Sequence, residues 1–215
     1  MKKIFLALVI TTMGFVANAQ VTFNPGIRAG VNFSHFTKGN SDYFNPFSDY
    51  LPYSTSLNST LDMKSRIDFY IGFQANIRFS KFYALQPEID YSRQGTKAEG
   101  TRTSFDFNNN MQSNVAFSDE LKVSYIGLQL INKFYMNQFN IHIGPTIEFV
   151  VEKNFSTNSE VDMGILLGAG YDITKNIGIE ARIKKGFIPV ISSSGNHSNV
   201  VIQTGVYYTF PIKKN

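Results

Sequence analysis

The stretch RIDFYIGFQANIRF, residues 66–79, alternates apolar and polar side chains with hardly a break. Ile67, Phe69, Ile71, Phe73, Ala75, Ile77 and Phe79 take every second position; Asp68, Gln74, Asn76 and Arg78 fall between them, with Tyr70 and Gly72. A period of two defines a strand with one apolar and one polar face. Which face meets which solvent stays open at this point. A soluble sandwich turns the apolar face towards a second sheet, whereas a membrane barrel turns it into lipid and encloses Asp68 and Arg78.

The pattern recurs along the chain. GIRAGVNFSHF (26–36), YALQPEIDYS (83–92), FNIHIGPTIEFV (139–150), VDMGILLGAGYDI (161–173), IGIEARIKKG (177–186) and VVIQTGVYYTF (200–210) all alternate. In LKVSYIGLQLINKFY (121–135), Leu121 and Val123 stand in the opposite parity to Ile126, Leu128, Leu130 and Phe134, so a bulge near Tyr125 is expected. Pro87 and Pro145 fall on the apolar face, where a residue without an N–H marks a bulge or a gap in the ladder. Counted together these segments make eight strands, each near the ~9–11 residues that a tilted strand needs to cross a bilayer.

The connections decide between the two solvents. Tight turns around SKF (80–82), MNQ (136–138) and TKN (174–176) alternate strictly with long polar segments at 37–65, 95–119, 152–160 and 187–199. Short periplasmic turns and long extracellular loops are the asymmetry of a transmembrane barrel. Phe79, Phe82, Tyr83, Phe134, Tyr135, Phe139, Tyr171, Tyr208 and Phe210 gather at the short-turn ends, as an interfacial aromatic girdle would. With the apolar faces in lipid, the charges are enclosed. The reverse register would put them in hydrocarbon, at ~2–4 kcal/mol for an Arg near the midplane.

The N-terminus agrees with that location. Lys2 and Lys3, the apolar IFLALVITTMGFV and the A-x-A signal Ala17-Asn18-Ala19 read as a cleaved signal peptide over residues 1–19, leaving 20–215 as one outer-membrane barrel domain. Beyond it no run approaches the ~18 apolar residues of a spanning helix. There is no cysteine, hence neither a disulfide framework nor a lipidated Cys. The formal charge is +4, of which Lys2 and Lys3 contribute two, and no basic run points to nucleic acid. The fold class expected is therefore all-β: an eight-stranded antiparallel up-and-down transmembrane β-barrel in the bacterial outer membrane, with both termini periplasmic.

ALQPEIDYSRQG, YIGLQLINKFY, FNIHIGPTIEF, VDMGILLGAGYDITKNIGIEARIKKG and GVYYTF together resemble the PorT-like outer-membrane β-barrel family, small barrels also loosely similar to OmpX. In the second motif Gln129 replaces the usual proline. The resemblance covers most of the chain and implies barrel architecture, outer-membrane lipid and the barrel assembly machinery as surroundings, and envelope protein partners. Such barrels commonly end on an aromatic residue that the machinery reads, whereas here Phe210 is followed by PIKKN.

Parity places Arg28, Arg78, Lys133, Arg182 and Lys184 in the lumen with Asp68, Glu88, Asp90, Glu148, Asp162 and Glu180. An eight-stranded interior is about wide enough for side chains to fill it, so these charges are expected to pair as a plug. The alternative is a narrow polar pore for ions or small solutes, with space left by luminal glycines such as Gly72, Gly168 and Gly205. A further alternative is an outer-membrane enzyme built on a rim pair: His35 at the outer end of the first strand and His197 before the last, near Ser34, Asp42 and Ser198. No spacing motif supports catalysis, and two histidines fall short of a zinc site. His142 belongs to the luminal face. The reading is non-enzymatic, without cofactor or metal, and the Asn-, Ser-, Thr- and aromatic-rich loops suit binding surfaces or hairpins extending beyond the membrane.

Overall fold

The computed structural model describes residues 21–37, 61–106, 111–191 and 196–211. The signal peptide expected over 1–19 and most of the first long loop lie outside the described residues. Eight strands follow in chain order: β1 (Thr22–Phe36), β2 (Leu61–Arg78), β3 (Tyr83–Asp106), β4 (Met111–Met136), β5 (Phe139–Lys153), β6 (Val161–Asp172), β7 (Ile177–Gly186) and β8 (Asn199–Thr209). Each pairs antiparallel with its neighbours, and β8 closes on β1 from Gly26↔Thr209 to Phe36↔Asn199. Closure matters because hydrocarbon offers no water to an unpaired N–H or C=O, and only a ring leaves no edge.

Burial is inverted relative to a soluble protein. Ile67 and Phe73 are each 66% exposed, while Gln74 is only 4% exposed. On β5, Phe139, Ile141, Ile143, Ile147 and Phe149 face outward, and Asn140, His142, Thr146 and Glu148 are buried inside. β7 repeats this with Ile177, Ile179 and Ile183 outside and Glu180, Arg182 and Lys184 inside. The apolar face is the outer wall.

The three tight turns form where the sequence places them. Ser80 Oγ accepts the backbone N–H groups of Phe82 and Tyr83, and Thr174 Oγ1 accepts those of Asn176 and Ile177. In the third turn Asn137 takes a φ of 58°, a conformation asparagine tolerates better than most residues. Aromatic rings line this end of the wall: Phe79 stacks on Tyr83 at 5.9 Å, Tyr83 meets Phe134 at 5.5 Å, and Tyr208 meets Phe210 at 5.4 Å.

Two expectations change in detail, and a third resolves to a gap rather than a bulge. The polar segment 95–119 is not a loop, because β3 and β4 run on as a paired hairpin to Asp106 and Met111. Their 24 and 26 residues reach roughly 80 Å at ~3.3 Å per residue, far more than a crossing needs. The bulge expected near Tyr125 does not carry Leu121 and Val123 to the outer face. Leu121, Val123 and Tyr125 are buried inside, in step with Gln129, Ile131 and Lys133. A register shift does fall at Ser124/Tyr125, but the extra residue is Val151 on β5, between Glu152↔Ser124 and Val150↔Tyr125. Pro87 and Pro145 interrupt their ladders without altering register: pairing stops after Gln74↔Glu88 and resumes at Ile77↔Leu85, and likewise between Gln129↔Thr146 and Asn132↔Ile143.

If the outer wall is the lipid wall, Ile71→Arg should lower the unfolding free energy in phosphatidylcholine vesicles by ~2–4 kcal/mol. Reversible denaturant titration checks this, and an unchanged midpoint would mean that Ile71 does not face hydrocarbon.

Candidate functional site: the barrel lumen

The centre of the lumen is a ring of four ions carried by three strands. Arg28 on β1 reaches Glu88 on β3 through Nη1 at 2.5 Å and Glu180 on β7 through Nη2 at 2.6 Å. Arg182 on β7 answers from the other side, donating to both Glu88 oxygens at 2.7 and 2.9 Å and meeting Glu180 at 2.7 Å. All four side chains are fully buried. Arg28 lies in register with Gly72 on β2, where a Cβ would come within 2.6 Å of the Asp90 side chain.

Neutral groups add hydrogen bonds to the ring. Tyr70 Oη donates to Glu180 at 3.1 Å, Gln86 Nε2 to Glu88 at 2.6 Å, and Gln129 Nε2 to Asp90 at 2.8 Å. Asp90 also lies 3.5 Å from Arg28. Arg182 Nε donates to His142 Nδ1 at 3.0 Å, so that nitrogen is an acceptor and the proton sits on Nε2, facing Asn140 Oδ1. Isolated ions in such a place would cost several kcal/mol each; paired and hydrogen-bonded, they can be kept.

Towards the long-loop end a second layer follows. Lys184 pairs with Glu148 at 2.5 Å, Gln94 donates to Glu148 at 2.9 Å, and Asn199 donates to Gln94. Asn32 bridges β3 and β8 by donating to Ser92 and accepting from Gln203, both at 2.9 Å. Asp162 accepts the Ile188 N–H at 3.2 Å. Above these lies an apolar cap of Phe36, Leu121, Val123, Tyr125, Phe155, Val190 and Ile191. Phe155 and Val190 come from the connections and pack over the strand residues.

Of the residues assigned to the lumen by parity, Arg28, Glu88, Asp90, Glu180 and Arg182 share one cluster, and Glu148 and Lys184 form a second pair. Asp162 sits beside the latter, and Lys133 is inside but outside both. Two placements are refined. Arg78 is the last residue of β2; its guanidinium donates to the carbonyls of Ser80 and Lys81 and lies over the Tyr135 ring at the short-turn mouth of the lumen, outside the ionic ring. Asp68 lies by the β2–β3 register shift and pairs with Arg66 at 2.5 Å and Arg93 at 3.8 Å, away from the ring. Sequence reading missed the amide and hydroxyl partners and the apolar cap. Counting every second residue from Leu121 reaches Gly127, Gln129 and Lys133 without a break, and that was the signal for the cap.

The histidine pair does not assemble. His35 lies on the outward face of β1 with Val31 and Phe33, whereas His197 is buried, with Nδ1 2.7 Å from the Thr37 carbonyl. Ser34 Oγ exchanges hydrogen bonds with the N–H and C=O of Gly95. The Ser198 N–H donates to Thr37 Oγ1. Asp42 lies outside the described residues. Among the described residues no group of His, Asp or Glu is placed to hold a metal ion.

A closed eight-stranded ring with an apolar outer wall, an aromatic girdle and an ion-paired interior defines a small transmembrane β-barrel. The chain belongs to the outer membrane protein beta-barrel domain family, whose model matches residues 18–192, which places it in the bacterial outer membrane. No curated protein matches the chain. Among solved structures it is similar to Neisserial surface protein A, at 16% identity and a TM-score of 0.49 over 88% of this chain and 99% of that one. Ail of Yersinia pestis is 12% identical with a TM-score of 0.45, over 87% and 98%. OprG from Pseudomonas aeruginosa is 10% identical with a TM-score of 0.46, over 90% and 99%.

Arg182→Met strands two carboxylates and should cost ~3–5 kcal/mol of unfolding free energy. Glu88→Gln should also destabilise, and the double variant should lose less than the sum of the two. Strict additivity in that cycle would mean the ring is not a unit.

Proposed function

We propose that this protein is a non-enzymatic, PorT-like envelope component that acts through the hairpin it holds beyond the membrane, by binding envelope protein partners such as those of a secretion system. In this reading residues 1–19 are a cleaved leader and the short turns and both termini face the periplasm. The long connections then face the cell exterior, and the lumen is a structural plug.

The observation that carries the reading is the contrast between interior and hairpin. The interior is filled by two ionic layers under an apolar cap, which supports a plug over a pore. The β3–β4 hairpin continues past the wall as paired strands. Where side chains are described it carries charge on its surface: Lys97 meets Glu99 at 2.7 Å, Lys64 on β2 also binds Glu99, and Lys122 meets Glu120 at 3.0 Å. Hydrogen bonds from Lys64 and Lys97 hold the Glu99 carboxyl down at about 2, so this link between β2 and the hairpin stays charged until pH falls through that value. A pre-ordered extension with fixed charges suits recognition of a protein surface.

Two measurements test it. The refolded chain in planar bilayers should be electrically silent, and reproducible conductance steps would replace the plug with the channel reading. A photo-crosslinking residue at position 99 in intact envelopes should give a discrete protein adduct, while one at position 165, on the lipid wall, should not. Absence of an adduct at 99 removes the hairpin as the working surface.

A further inference from the structure

On the side of the ionic ring opposite the apolar cap, the lumen opens at the short-turn end into a polar cavity of about 280 Å³. That is room for several waters or for one compact solute group.

Lys133 projects into it from β4. The residue is 1% exposed, lies in register with Ala84 on one side and His142 on the other, and has its Nζ 4.3 Å from the centre of the Tyr207 ring and 5.8 Å from that of Tyr135. Among the described residues no carboxylate forms an ion pair with it, and no acceptor takes a hydrogen bond from it. The carboxylates whose fields reach it are Glu180, Asp172 and Glu88. Each is engaged elsewhere: Glu88 and Glu180 lie between the two arginines, and Asp172 accepts the Tyr207 hydroxyl. The tyrosine faces steady the ammonium without using its three donors. A buried cation in that condition calls for an acceptor.

Two further cations and one carboxylate, Asp172, border the same cavity. The Arg78 guanidinium lies 3.9 Å from the Tyr135 ring centre, and Lys175 of the β6–β7 turn borders the opening. The Arg78 donors bound to the Ser80 and Lys81 carbonyls are Nε and Nη2, which leaves Nη1. Tyr207 is held as a platform by Gly178, where a Cβ would meet its ring at 2.2 Å.

We propose that this vestibule binds an oxyanionic group, a phosphate or a carboxylate, with the Lys133 ammonium as its principal charge partner and Arg78 as the second. The site stands independently of the hairpin reading. The orientation given under that reading bears only on the compartment from which the anion arrives, the periplasm. The competing account is that Lys133 merely balances the negative charge of Asp172 and the ring carboxylates at a distance, in which case no anion is recognised.

The test is a titration of the full-length mature barrel, isotope-labelled and refolded in alkyl maltoside micelles that contain no phosphate. Sodium phosphate is added at constant ionic strength, with sodium chloride as the reference. Saturable NMR shifts confined to the amides around Lys133, Tyr135 and Tyr207 support the site. Lys133→Met should weaken binding at least tenfold while Lys133→Arg retains it. Arg78→Gln, at a half-exposed position where folding is not at risk, should weaken it about threefold. A second arm uses nanodiscs with and without phosphatidylglycerol. Shifts that appear only there, and vanish in Lys133→Met, keep the oxyanion site and assign its source to a lipid headgroup. Shifts that follow chloride as closely as phosphate, or that persist unchanged in both Lys133→Met and Arg78→Gln, overturn the proposal.

Discussion

The rest of the molecule depends on the mutual neutralisation of Arg28, Arg182, Glu88 and Glu180. An eight-stranded ring encloses about one layer of side chains from each wall, too little for a water column that could solvate isolated ions. Three strands far apart in sequence therefore contribute to one cluster, and its bonds span the lumen. Arg28 ties β1 to both β3 and β7, and Arg182 returns the bond to β3. Backbone ladders close the circumference, whereas these cross-struts fix the cross-section. Gly72 belongs to the same design, since a side chain there would push the β3 strand and Asp90 away from the guanidinium.

That design makes the sequence unusually readable in its wall and less so in its ends. Ile67 to Phe79 and Phe139 to Phe149 obey a strict period of two because each strand has lipid on one side and a packed polar interior on the other. The alternation weakens where that contrast disappears. In 95–119 the sequence is largely polar at both parities, so nothing in the apolar pattern distinguishes strand from loop, and β3 and β4 run about a dozen residues further than the wall requires. Leu121 and Val123 mislead for the opposite reason. There the interior itself becomes apolar, and a reading that equates apolar with lipid assigns them to the wrong face.

The luminal residues divide along the same line. Parity alone places Arg28, Glu88, Asp90, Glu180 and Arg182 inside, since a strand's faces follow from counting. Parity does not say how far along the axis a residue sits, nor where a long side chain bends. Arg78 has the luminal parity and ends the strand, so its guanidinium folds over the turn. Asp68 has it too, yet lies where the β2–β3 register shifts, and neighbouring arginines take it up. His35 faces outward on β1, whereas His197 is buried in the β7–β8 connection beside Ile191 and the Thr37 carbonyl, a distinction that sequence spacing does not carry.

The two ends of the lumen are built for different tasks. At the long-loop end Phe155 and Val190 fold over Leu121 and Val123, and the polar column finishes under side chains that shed water. At the short-turn end no comparable apolar cluster covers the column among the described residues. Lys133 lies there against two tyrosine rings, facing a cavity bordered by Arg78 and Lys175. A barrel selected only for a neutral, filled interior would place a methionine or leucine at 133, sparing the desolvation of an ammonium that pairs with no carboxylate of the described chain. The fields of Glu180, Asp172 and Glu88 offset part of that cost, and a bound oxyanion would offset more of it. The plug is thus asymmetric, closed by an apolar cap at one end and bordered by Lys133, Arg78, Lys175 and Asp172 at the other.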